Sequence, residues 1–134
     1  MTKVSVVTVI MRVVLGIIFV FHGVAKFQMG LGNVEAWFSS IGIPGFLAYL
    51  VAVLELVGGI VLIAGMFTRY VSALFVVMLI GAVLTAKLSA GLLGDGTSVG
   101  YELDLGLMLI ALYLAVANEQ ALSLDRLIMG KRSA

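Results

Sequence analysis

Arg12, His22, Lys26, Glu55, Lys87, Glu102 and Asp104 lie within, or at the edges of, long apolar runs, and they are where this chain could do chemistry. An ionisable group at the centre of a helix in hydrocarbon costs at least about 2.5 to 3.5 kcal/mol, so such groups are few, paired and informative. Arg and Lys donate hydrogen bonds to carbonyls and carboxylates, and a buried Glu accepts them or relays protons. Arg12 follows its helix start by eight residues, roughly 12 Å, and Glu55 lies eleven residues from the near end of its own helix, roughly 16 Å. Long side chains can close that difference, so Arg12 and Glu55 are expected to pair, directly or through a polar ligand. Arg12, Gly16, Phe19, Gly23 and Lys26 share one helical face, and Glu55 shares another with Gly58, Gly59 and Leu62. Glycine on a charged stripe lets another backbone approach closely, as helix interfaces in membranes prefer.

A second, outer group is expected from His22, Lys26, Lys87 and Glu102. His22 and Lys26 are four residues apart and therefore neighbours on one helix. Asp104 follows Glu102 by two residues, about 200° around a regular helix, so the two carboxylates cannot both face one site. Gly106, one turn below Glu102, favours Glu102 as the inward one. Plainer roles stand beside these. Lys26, Lys87 and Asp104 would also suit snorkelling to headgroups. His22 would suit a helix-end hydrogen bond, and Arg12 with Glu55 a structural ion pair that sets helix register.

The chain's 134 residues contain no Cys and one His. That excludes disulfides, thiolate chemistry, Cys-ligated zinc or iron–sulfur clusters, and bis-His haem within one chain; no metal site is expected. Redox work would need a bound cofactor or a partner subunit. The net charge of +1 gives no reason to expect nucleic acid.

Lipid must be the solvent. Hydrophobic residues make up 63% and charged residues 11% of the chain, and mean hydropathy is +1.25. A soluble domain carries about 25% charged residues and this chain cannot build such a shell. The expected fold is all-α, a single integral membrane domain over residues 1–134: an antiparallel four-helix bundle with both termini in the cytoplasm. Spans are expected at about 4–25, 45–66, 70–88 and 101–117, with an interfacial helix at about 121–130. The apolar run from Val4 is too long for a signal-peptide core, contains Arg12 and lacks a clear cleavage site, so it reads as a retained helix. Residues 27–40 read as a connection, with Asn33 capping a short turn and Trp37 and Phe38 in an interfacial aromatic belt. Pro44 opens the second span as a first-turn proline. Phe67 to Tyr70 is a tight turn. Lys3, Arg69, Arg126, Lys131 and Arg132 fall on one side and Lys26 and Lys87 on the other, which sets the first side in the cytoplasm.

Arg12 with Leu15-Gly16, then His22-Gly23, Lys26 and Gly42-Ile43-Pro44, resembles the DoxX family. So do Glu55-Leu56-Val57-Gly58-Gly59, Gly65 with Thr68-Arg69, Tyr101-Glu102 and Ser123-Leu124-Asp125. The likeness runs in order along nearly the whole chain. It implies a small four-helix protein of the bacterial cytoplasmic membrane. Some relatives are named as subunits of quinone-linked oxidoreductases such as thiosulfate:quinone oxidoreductase, and others as membrane partners of redox or detoxification proteins. Relatives often carry His near the end of the third span, where this chain has Lys87.

Three functions follow as expectations. One is an accessory, non-catalytic subunit that binds a quinone-like ligand between helices. Arg12, His22, Lys26 or Lys87 would donate to quinone carbonyls, and Glu55 or Glu102 would relay protons, beside an oxidoreductase partner. The second is a small proton-coupled transporter with Glu55 as exchanger; an adjacent Arg12 would oppose it by holding that carboxylate ionised. The third is a membrane scaffold, alone or as a homo-oligomer.

Overall fold

The computed structural model describes residues 2–96 and 100–117, and every regular element among them is helical. Helix α1 spans Lys3–Met29, α2 Leu31–Ser40, α3 Leu47–Ala64, α4 Thr68–Ala82 and α5 Glu102–Val116. A π turn, Val83–Lys87, and a short 3₁₀ turn, Leu88–Ala90, prolong α4. Three segments are long and apolar enough to cross a membrane: Lys3–Met29, Leu47–Ala64 and Thr68–Thr85. The expected interfacial helix at 121–130 lies outside the described residues.

Helix α1 begins where the Thr2 hydroxyl accepts the Ser5 N–H at 3.0 Å, closing one orphan donor of the first turn. It ends at Gly30, whose φ of 91° only glycine adopts without strain. The helix therefore continues past residue 25, and what reads in sequence as a loop is largely the ten-residue α2. Asn33 does cap, but backwards: its side-chain amide donates to the Met29 carbonyl at 2.7 Å, satisfying the end of α1. Helix α2 lies over the start of α3. Tyr49 donates to Glu35 Oε2 at 2.7 Å, and Phe38 packs with Val34 and Ala48. Phe38 is thus a buried residue, and only Trp37 keeps the exposure an interfacial aromatic needs. Pro44 precedes α3, with its carbonyl accepting the Leu47 N–H.

The α3–α4 turn is tight, as its sequence suggests. Gly65 takes the left-handed conformation at φ 79°, and the Met66 N–H returns to the Val61 carbonyl at 3.0 Å.

Glycine sets the pairing of α1 with α3. A Cβ on Gly16 would lie 2.7 Å from the Gly59 carbonyl oxygen, and one on Gly23 would lie 2.8 Å from the Leu56 nitrogen. Numbers rise along α1 as they fall along α3, so the two run in opposite directions with backbones in near contact. Helix α4 packs chiefly on α5. Phe19 of α1 and Phe75 of α4 join the two pairs, their rings stacked at 3.9 Å and 18°. Leu15, Leu62, Leu79, Leu107, Ala111 and Leu114 complete that core. At the far end the Thr8 and Tyr113 hydroxyls hydrogen-bond at 2.8 Å, tying α1 to α5.

The polarity of α1 is inverted relative to a water-soluble helix. Ser5, Thr8 and Arg12 are buried, whereas Val7, Ile10, Val14, Ile17 and Phe21 are exposed. Water would penalise that apolar stripe, and lipid accommodates it.

Candidate functional site

A cavity of about 430 Å³ opens between the α1, α3, α4 and α5 ends beneath α2. Its volume falls in the ordinary range of small-molecule pockets, roughly 300–1,000 Å³. Most of its wall is apolar, from Phe19, Trp37, Phe38, Ile41, Ile43, Leu47, Val51, Met78, Leu79 and Leu107. Five polar residues enter it with charged or hydrogen-bonding groups: His22, Lys26, Glu55, Lys87 and Asp104. Thr85 also lines it, but its hydroxyl is turned to the Gly81 carbonyl at 2.6 Å.

Two ion pairs furnish this cavity. Lys26 Nζ donates to Glu55 Oε1 at 2.7 Å, with the Glu55 side chain 5% exposed and Lys26 20%. The expected Arg12–Glu55 pair is therefore replaced by Lys26–Glu55. The physical reason is register. Matching the apolar runs at their ends sets residue 4 beside residue 66, whereas the glycine contacts set Gly16 beside Gly59 and Ile63. That slides α1 by about two turns, leaving Arg12 and Glu55 roughly 15 Å apart along the helix axes. Arg12 is buried near Thr8 and outside the cavity lining.

The second pair is Lys87–Asp104. The ammonium straddles the carboxylate, 2.9 Å from Oδ2 and 3.1 Å from Oδ1, and only the Oδ1 contact has hydrogen-bond geometry. Asp104, and not Glu102, is the inward carboxylate: Asp104 is 6% exposed, and Glu102 faces outward. The two cannot share a face, as their spacing requires, but the choice between them went the other way. Gly106 marks no helix contact, since a Cβ there would meet nothing within 4 Å. Asp104 shares its stripe with Leu107, Ala111 and Leu114, all buried. Helix α5 is apolar on every side, so sequence contains little signal for which stripe packs.

The π turn places Lys87. A regular helix carried on from the buried Leu79 would return to the same face seven residues later, at position 86. One additional residue in the turn moves that place to position 87. Leu79 and Lys87 accordingly line the cavity together. His22 stands at the rim, exposed, with its ring edge-on to Phe19 at 6.3 Å.

The two expected polar layers are thus one cluster. His22, Lys26 and Lys87 come together as expected, Glu55 joins them, Asp104 takes the role given to Glu102, and Arg12 stands apart. Among the described residues no group of three or more His, Asp and Glu side chains could hold a metal ion.

The DoxX family profile matches residues 7–88, a stretch that includes His22, Lys26, Glu55 and Lys87. The chain is 41% identical over 127 residues to the Bacillus subtilis (strain 168) protein named "Putative oxidoreductase CatD", covering 94% of this chain and 90% of that one. It is 31% identical to "Uncharacterized membrane protein Rv3486" of Mycobacterium tuberculosis, covering 92% of this chain and 82% of the relative. It is 32% identical to "Inner membrane protein YqjF" of Escherichia coli, covering 90% of each. No solved structure gives a significant match. With most of the chain matched by relatives that are themselves membrane proteins, and with a helical fold whose outer surface is apolar, this protein is a membrane protein that belongs to the DoxX family.

Proposed function

We propose that the chain is an accessory subunit of a membrane redox or detoxification system and binds a quinone-like small molecule in the cavity between its helices. One observation carries the reading. A largely apolar cavity holds two ion pairs at its polar wall, Lys26–Glu55 and Lys87–Asp104, whose carboxylates are buried and whose ammonium groups are partly exposed. An apolar wall suits a ring and isoprenoid carbons, and a few convergent polar groups orient a head group. A relative named as an oxidoreductase supports the redox association. Because the chain lacks Cys, electrons would pass through the ligand and a partner oxidoreductase subunit.

In this reading α5 is the fourth span of an antiparallel bundle in the bacterial cytoplasmic membrane, with both termini and the α3–α4 turn in the cytoplasm. The cavity then opens toward the outer face. A chain without Cys makes this easy to test, because Thr68→Cys and Asp95→Cys are unique labels. An impermeant maleimide should reach Asp95→Cys in intact spheroplasts and Thr68→Cys only after lysis. The binding reading is tested by purifying the protein from native membranes and extracting its lipids. Quinone should co-purify, and a short-chain benzoquinone should raise the unfolding temperature; consistent absence of both would refute it.

A further inference from the structure

Helices α3 and α4 leave their tight turn in contact and then part. Near the turn they touch closely: a Cβ on Gly58 would lie 2.8 Å from Phe75 Cζ. Beyond that contact α3 packs chiefly on α1, and α4 chiefly on α5. Val51 and Gly81 stand at equal distances from the turn, about 21 Å along their helices when counted from Gly65 and Phe67. Both line the cavity there, together with Leu47, Met78, Ala82 and Thr85. Gly81 and Thr85 are exposed as well, and a Cβ on Gly81 would meet nothing within 4 Å. The same residues thus face the cavity and the outside, so the seam between α3 and α4 is an opening. It lies within the apolar segments Leu47–Ala64 and Thr68–Thr85 and faces lipid. These six seam residues are uncharged, and the Thr85 hydroxyl is spent on the Gly81 carbonyl at 2.6 Å, which spares both groups an unmet place in hydrocarbon. The cavity's other exposed edge, at His22 and Trp37, presents ring N–H groups instead.

We propose that the ligand carries a long hydrocarbon chain, and that this chain leaves the cavity sideways through the α3–α4 seam into the bilayer. This rests on the ligand-binding reading above and adds the route of the chain. Volume requires an exit. At about 430 Å³ the cavity is near the lower end of small-molecule pockets, room for a head group but not for a long isoprenoid chain as well. Gly81 and Ala82 keep the passage wide, since neither side chain projects beyond a Cβ. The charged wall then holds the head group while the chain stays in lipid.

The test uses the full chain in phospholipid nanodiscs and two probes with one benzoquinone head group, the first without a side chain and the second with a long isoprenoid chain. The chain's single tryptophan, Trp37, lines the cavity, so quenching of its fluorescence reports binding. Each variant is compared with the unaltered chain at equal probe-to-lipid ratio. Gly81→Phe should weaken the long-chain probe by about tenfold or more, the fold-change equivalent to overpacking a site, and the chainless probe by less than about threefold. Gly106→Phe, on an exposed position outside the cavity lining, should alter neither. Should Gly81→Phe fail to fold, the smaller Gly81→Leu carries the same comparison. Equal weakening of both probes, or no change in either, would overturn the seam as the route of the chain and leave the binding reading standing. Binding of neither probe to the unaltered chain would overturn both.

Discussion

Pairing of Glu55 with Lys26, and not with Arg12, is open to a direct energetic test. The perturbation is a pair of double-mutant cycles built from Lys26→Met, Arg12→Met and Glu55→Gln. At the observed 2.7 Å, two unit charges attract by about 6 kcal/mol if the effective dielectric constant is about 20. At the roughly 15 Å implied by the helix register, the same expression gives about 1 kcal/mol. Desolvation offsets part of the gross attraction, so the coupling energy read from the Lys26–Glu55 cycle should be about 3 kcal/mol, and that from the Arg12–Glu55 cycle under about 1 kcal/mol. Burial also makes the single variants unequal. Lys26→Met strands a carboxylate that is 5% exposed, whereas Glu55→Gln strands an ammonium that is 20% exposed and can reach polar surroundings. Lys26→Met should therefore be the more damaging of the two, costing about 3–5 kcal/mol in all. The assay is reversible unfolding in mixed micelles, with helical circular dichroism as readout. A larger coupling in the Arg12 cycle than in the Lys26 cycle would refute the register and the site built on it.

Three further outcomes follow from the same geometry. Gly59→Val should destabilise the protein by about 1–3 kcal/mol or more in that assay, because even a Cβ at this position would sit 2.7 Å from the Gly16 carbonyl oxygen. Gly106→Ala, where a Cβ meets nothing, should be neutral or slightly stabilising through helix propensity. Asp104→Leu should cost about 1–3 kcal/mol, less than stranding a buried carboxylate because Lys87 is 30% exposed, and Glu102→Leu less than about 0.5 kcal/mol, as thermal unfolding will show. Deleting the exposed Leu84 should convert the π turn to regular helix and keep the lysine on the face of Leu79, so stability should be retained; a collapse in unfolding temperature would count against the insertion account of that turn.

Sequence by itself determined the class of molecule and the residue types of its site. Hydropathy leaves no soluble alternative, because a shell of water cannot be satisfied by a chain with 11% charged residues. The apolar runs located α1, α3, α4 and α5, since each must satisfy its own backbone in lipid, whereas α2 read as a connection. Charges inside those runs need partners, which singled out Arg12, His22, Lys26, Glu55, Lys87 and the Glu102/Asp104 alternatives. Tertiary structure decided who partners whom. Helix length in sequence is known only to a few residues at each end, and an error of two turns moves a side chain by about 11 Å, enough to exchange Arg12 for Lys26. The rotation of α5 was equally hidden, because a helix that is apolar all round shows no moment to say whether Glu102 or Asp104 points inward. The π turn at Val83–Lys87 has no sequence mark at all, yet it brings Lys87 onto the cavity wall. Backbone contact between Gly16 and Gly59 is the link between the two levels: the glycines are visible in sequence, but only their meeting sets the register.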